Sequence, residues 1–112
     1  QNGFASGADL TGLSVTVTAP TSRGIKITAY APFVAGSTGN VILLIKEGAT
    51  TLNSYSVHIG TASRQAGATA TVFIAAPTPG SHTYKLVSDH SAGTVNMNAG
   101  ATNPAFILVE AV

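Results

Sequence analysis

Residues 25–35 read Ile25-Lys26-Ile27-Thr28-Ala29-Tyr30-Ala31-Pro32-Phe33-Val34-Ala35. Ile25, Ile27, Ala29, Ala31 and Phe33 fall on one side of a two-residue repeat, with Lys26, Thr28 and Tyr30 on the other. That period is the mark of a strand with one face in a core. Pro32 interrupts the pattern. Proline has no N–H to give to a ladder, so an edge strand or a bulge is expected here.

Working outward, the same period returns on both sides. Residues 10–19 put Leu13, Val15 and Val17 on one face and Ser14, Thr16 and Thr18 on the other, and Pro20 ends the run. After a loop at 36–40, Val41-Ile42-Leu43-Leu44-Ile45 is apolar throughout and reads as a strand buried on both faces, either in the sandwich core or at a subunit contact, as does 106–109 below. Lys46 to Thr50 is a turn, and Leu52 to Ile59 returns as its hairpin partner. Gly60 to Gly67 is a loop with Arg64 at its centre, followed by a strand over 68–76. Pro77-Thr78-Pro79-Gly80 is a strong turn signal. Strands follow at 82–89 and 94–99, separated by a loop at Ser91-Ala92-Gly93. Asn103-Pro104 breaks the chain before Phe106-Ile107-Leu108-Val109, a second run expected to be buried on both faces.

No amphipathic helix is visible. About eight short strands separated by turn signals predict an all-β fold, an antiparallel β-sandwich of the jelly-roll kind. Residues 1–8 read as a flexible lead-in, and 9–112 as one sandwich domain.

Composition narrows the chemistry. Of 112 residues, 45% are hydrophobic and only 8% charged, with five Lys and Arg against four Asp and Glu. Five scattered cations make no basic stripe, which argues against nucleic acid. No apolar run approaches the ~20 residues of a membrane-spanning helix, so no membrane insertion is expected. There is no cysteine, which removes disulfides, thiolate metal sites and thiol nucleophiles.

The remaining candidates are few. His82 and His90 sit at opposite ends of one expected strand, about 25 Å apart at the strand rise, too far to share an ion. His58 could meet His90 or Asp89 across loops, and a single histidine per chain could ligate on a three-fold axis. Neither arrangement is signalled by spacing, so no metal and no cofactor are expected. No Gly-X-Ser-X-Gly elbow is present, and the four acids are spread along the chain, which leaves no paired carboxylates for glycoside hydrolysis. No catalytic residue is assigned, and the chain is not expected to be an enzyme. Arg64 in its polar loop, Tyr55, His58 and His90 are the candidate ligand-contacting residues. Tyr30 and Tyr55 could each stack on a sugar ring.

Three stretches taken together, Leu10-Thr-Gly-Leu-Ser-Val-Thr-Val17, Gly80-Ser-His-Thr-Tyr-Lys-Leu86 and Pro104-Ala-Phe-Ile-Leu-Val-Glu110, with the turn Ile45–Thr50 between them, resemble a C-terminal β domain of virion proteins from tailed phages of actinobacteria. That domain ends tail or head fibres and minor tail proteins, in some after collagen-like Gly-X-Y segments, which this chain lacks. The resemblance implies a β-sandwich head that forms a homotrimer on the virion surface beside other virion proteins. It implies attachment to host-surface saccharide, with capsid decoration as the alternative task. A third reading, a carbohydrate-binding module, is opposed by the lack of Trp and the presence of only three Tyr. No catalytic residues come with the resemblance.

Overall fold

The computed structural model describes residues 1–61, 63–91 and 93–112. Ala62 and Ala92, which fall in two of the expected loops, lie outside the described residues. Eight strands occur in chain order: β1 (Ala8–Thr18), β2 (Ile25–Ala35), β3 (Gly39–Glu47), β4 (Thr50–Ile59), β5 (Gln65–Ile74), β6 (Ser81–His90), β7 (Val95–Met97) and β8 (Phe106–Ala111). They form two antiparallel sheets. One has the order β1-β6-β3-β4. In the other, β5 pairs β2, and β2 pairs both β7 and β8 on its far side. All connections except β3–β4 and β7–β8 pass from one sheet to the other, as expected of a jelly-roll-like sandwich.

The alternation read from the sequence becomes burial. Ile25, Ile27, Ala29, Ala31 and Phe33 are all buried, as are Val41, Leu43, Ile45, Tyr84 and Leu86 on the facing sheet. Ala29 stands opposite Ala70 and Ala31 opposite Ala68. These small side chains line the inner face of the β2 sheet, and the larger ones of β3 and β6 fill the space against them. Burying each such side chain contributes about 1.5–3 kcal/mol for the Val, Leu, Ile and Phe members. Between β3 and β4 the chain reverses over Gly48-Ala49, with Glu47 paired to Thr50. Gly48 holds φ at +59°, the left-handed conformation that a two-residue hairpin turn of this kind needs at its first position.

Several expectations change. β2 is a central strand, not an edge. Pro32 is accommodated because pairing on that side is split: β8 matches Ile25–Tyr30 and β7 matches Phe33–Ala35. The Pro32 carbonyl accepts from the Asn98 N–H at 2.9 Å on that same side. The missing N–H therefore points into the gap between two partners, where no ladder bond is lost. Within the single chain the final strand is buried on one face only. Phe106 is 41% and Leu108 48% exposed, because β8 is an edge strand whose outer face is open. In β3, Ile42 and Leu44 are half-buried while Val41, Leu43 and Ile45 are buried. β5 begins at Gln65, so part of the expected 60–67 loop is strand.

Of residues 1–8, read as a flexible lead-in, Ala8 opens β1 and residues 1–7 lie hydrogen-bonded along the sandwich. The Gln1 ammonium donates to the Met97 carbonyl, and the Met97 N–H donates to the Gln1 carbonyl. Gln1 Oε1 accepts from the Thr11 N–H at 2.7 Å. Phe4 is buried, its ring 6.2 Å from Phe33 and edge-on to His90 at 5.6 Å. The sequence signal was a single phenylalanine among small and polar residues, too little for a periodic pattern.

Candidate functional site

The outer face of the β5-β2-β8 sheet carries the largest exposed aromatic surface among the described residues. Antiparallel partners point to the same side of a sheet, so the register lays out its rows. Phe73, Lys26 and Glu110 form one, Thr71, Thr28 and Leu108 the next, and Thr69, Tyr30 and Phe106 the third. Phe73 is 62% exposed. From Phe73 to Thr69 the strip runs four residues, about 13 Å at the strand rise. Its only charges, Lys26 and Glu110, sit together at one end. The centre is threonine, leucine and aromatic ring.

Tyr30 organises the other end. Its ring lies 6.2 Å from that of Phe106, tilted by 30°. Its hydroxyl donates to Asn103 Oδ1 at 2.9 Å, a bond that fixes the ring. The ring spreads over Gly67, and this contact is the reason glycine stands there. A Cβ at Gly67 would lie 2.8 Å from Tyr30 Cε1 and 3.0 Å from its hydroxyl oxygen. Pro32, Gln65, Gly67 and Asn103 border a groove of about 110 Å³ beside the ring. Gln65 is exposed and Asn103 half-buried, so amide donors and acceptors flank an aromatic platform. An aromatic face takes the C–H face of a pyranose, and amides take its hydroxyls.

A second concentration of polar groups lies at one end of the sandwich, where Glu47, Thr78, His82 and Tyr84 meet. His82 Nδ1 is 2.6 Å from Glu47 Oε2, and Nε2 is 2.7 Å from the Thr78 carbonyl oxygen. The Thr78 hydroxyl is also 3.3 Å from Nε2, and the carboxylate and carbonyl acceptors on the two nitrogens favour the doubly protonated ring. The Thr78 carbonyl first, and Glu47 second, raise the His82 pKa above its ordinary value, against the desolvation that lowers it. A raised pKa in the folded state gives stability that is complete below about pH 6.5, the unfolded value. It is lost as pH rises through the folded value. The thermal midpoint is therefore expected to fall between pH 6 and pH 9, and His82→Gln should flatten that fall. An unchanged slope in His82→Gln would assign the dependence to another group.

The four residues singled out from the sequence do not converge. Arg64 is exposed just before β5. Tyr55 is 48% exposed on β4, opposite Leu43. His58, opposite Asn40, bonds Asn40 Oδ1 at 3.0 Å on the outer face of its sheet. His90 lies on the inner face at the sandwich end, its Nε2 2.9 Å from the Phe4 carbonyl oxygen. Among the described residues no three of His, Asp and Glu gather as metal ligands would. The sequence did single out Tyr30. It missed Phe106, Phe73, Gln65 and Asn103, which only the strand order brings beside it. The usable signal was Phe106 and Leu108 at alternate positions of an edge strand.

No protein-family model matches the chain, and no curated protein sequence does. Solved structures resemble it in shape. A carbohydrate-binding module from Cellvibrio mixtus lichenase 5A, in complex with cellotriose, is 20% identical, with 96% of this chain and 72% of that chain covered and a TM-score of 0.48. The C-terminal domain of EclA, described as a sugar-binding protein, is 14% identical over 94% of this chain and 68% of that chain, with a TM-score of 0.51. What this chain has in common with the EclA domain is the fold, an antiparallel β-sandwich.

Proposed function

We propose that this chain is a non-catalytic glycan-binding module that holds a polysaccharide segment on the outer face of the β5-β2-β8 sheet. The observation that carries the reading is the Tyr30–Phe106 pair, fixed by Asn103 and flanked by Gln65 on a rigid sheet. The fold shared with the EclA domain, a sugar-binding protein, supports the same class of ligand. The strip's length, about 13 Å at the strand rise, suits two or three sugar rings, and the sparse charge suits a neutral polymer. The setting we propose is a virion surface, where the domain would end a fibre and engage host-surface glycan. That setting rests on the sequence resemblance to phage fibre domains, as does a homotrimer, in which three weak sites would gain affinity together.

Binding to a panel of plant and bacterial-envelope polysaccharides, read by affinity electrophoresis and calorimetry, tests the module. Tyr30→Ala and Phe106→Ala are each expected to weaken binding by up to about tenfold, the value of one aromatic contact. Tyr55→Ala should leave it unchanged. Equal binding by all three variants would remove the face from consideration.

A further inference from the structure

The end of the sandwich that holds His82 also holds a cleft of about 260 Å³. Leu52, Ile74 and Pro77 give it apolar walls, and Glu47, Thr78, His82 and Tyr84 its polar groups. Tyr84 is the least expected of these. It is fully buried, and its hydroxyl has no hydrogen-bond partner among the described residues. A buried hydroxyl left unsatisfied is costly, and native folds keep few of them. The Tyr84 ring is also held in place, stacked on His82 at 6.0 Å with the planes 5° apart. The cleft has room for several waters, more than one unsatisfied hydroxyl needs.

The charges decide what fits. With His82 protonated, its charge is matched by the Glu47 carboxylate at 2.6 Å, and the cleft is then neutral as a whole. An anion would lie against Glu47, and a cation against His82. A neutral hydroxyl group meets neither penalty. One such group can donate to the Glu47 carboxylate, which has acceptor capacity beyond its bond to His82, and a small rotation of the Tyr84 ring, buried at the base of the cleft, would let its O–H donate to another. The apolar walls suit the C–H face of a small ring.

We infer that this cleft is a second ligand site, separate from the β5-β2-β8 face, and that it takes a single neutral polyhydroxylated ring such as a monosaccharide unit or a cyclic polyol. Tyr84 supplies the anchoring hydroxyl, and the His82–Glu47 pair sets the neutral polarity of the rim. The site stands independently of the face.

The test is amide and imidazole NMR of the full chain titrated with xylose, glucose, galactose and myo-inositol at millimolar concentrations, the range expected for so small a ligand. At least one probe should shift the Thr78 amide and the His82 ring signals. Tyr84→Phe should raise the thermal midpoint, because the unsatisfied hydroxyl is gone, and should weaken the probe's shifts several-fold. Phe106→Ala should leave them intact, which separates this site from the polysaccharide face whether or not that face binds. Sodium phosphate and ammonium at the same concentrations should shift nothing in the cleft. The inference is overturned if no polyol probe perturbs the cleft. It is equally overturned if Tyr84→Phe binds like the parent, or is less stable than the parent.

Discussion

Phe33→Ala is expected to lower the unfolding free energy by about 3–5 kcal/mol, the cost of a fully buried aromatic removed from a packed core. Phe33 has no exposed surface and sits on the central strand of its sheet, so little around it can collapse into the space. A domain of this size has about 5–15 kcal/mol in total, and the variant should stand near its unfolding threshold at physiological temperature. The loss has a local component as well. Phe4 packs on Phe33, and residues 1–7 are held by that contact and by their hydrogen bonds to β7 and β1. Urea unfolding gives the first number, and limited proteolysis near the N-terminus reads the second. A cost under about 1 kcal/mol, far below the range for such a truncation, would mean that Phe33 does not anchor the core.

Gly67→Val should damage both the fold and the proposed glycan face. The new side chain enters space that Tyr30 fills, at distances no Cβ tolerates. The ring must swing away, breaking its bond to Asn103 and its contact with Phe106. Overpacking of this kind costs about 1–3 kcal/mol. Polysaccharide binding should drop at least as far as in Tyr30→Ala. The double variant Gly67→Val with Tyr30→Ala separates the causes. With the ring absent there is no clash, so the double variant should lose less stability than the sum of the two single losses. Simple additivity would place the damage in the β5 backbone instead.

How far the sequence could be read follows from what each signal needs. Strand positions in β1, β2 and β4 were legible because one face is buried and the other is open, which writes itself as a two-residue period. β8 was less legible for the opposite reason. Its outward residues Phe106 and Leu108 are apolar but exposed, so the alternation vanished and the run looked doubly buried. Pro32 signalled an irregularity correctly, but not its nature. That two short strands share one side of β2 is a fact of topology, and no residue near Pro32 encodes it. The candidate site suffered similarly. Arg64, Tyr55, His58 and His90 stood out one at a time by residue type, whereas a site is a matter of neighbours. Tyr30 meets Phe106 across 76 positions of chain and Asn103 across 73. His82 finds Glu47 35 residues upstream. Periodicity carries no information at that range.

The path of the chain between the sheets also governs how the protein reaches its native state. Apart from the Gly48-Ala49 hairpin, the long strands find their partners only after intervening chain has crossed to the other layer. Pairing β1 with β6 closes a loop of most of the domain before any of its bonds form, and that entropy is lost ahead of the reward. Such topologies fold in milliseconds to seconds rather than microseconds. The β3–β4 ribbon is the hairpin whose partners are closest in sequence, and β1 and β8 lie at the sheet edges. Until the sheets are complete, the apolar side chains of these edges, Phe106 and Leu108 among them, are open to solvent. The same apolar edge that we propose as a glycan platform in the finished molecule is thus a point of exposure to self-association while it folds.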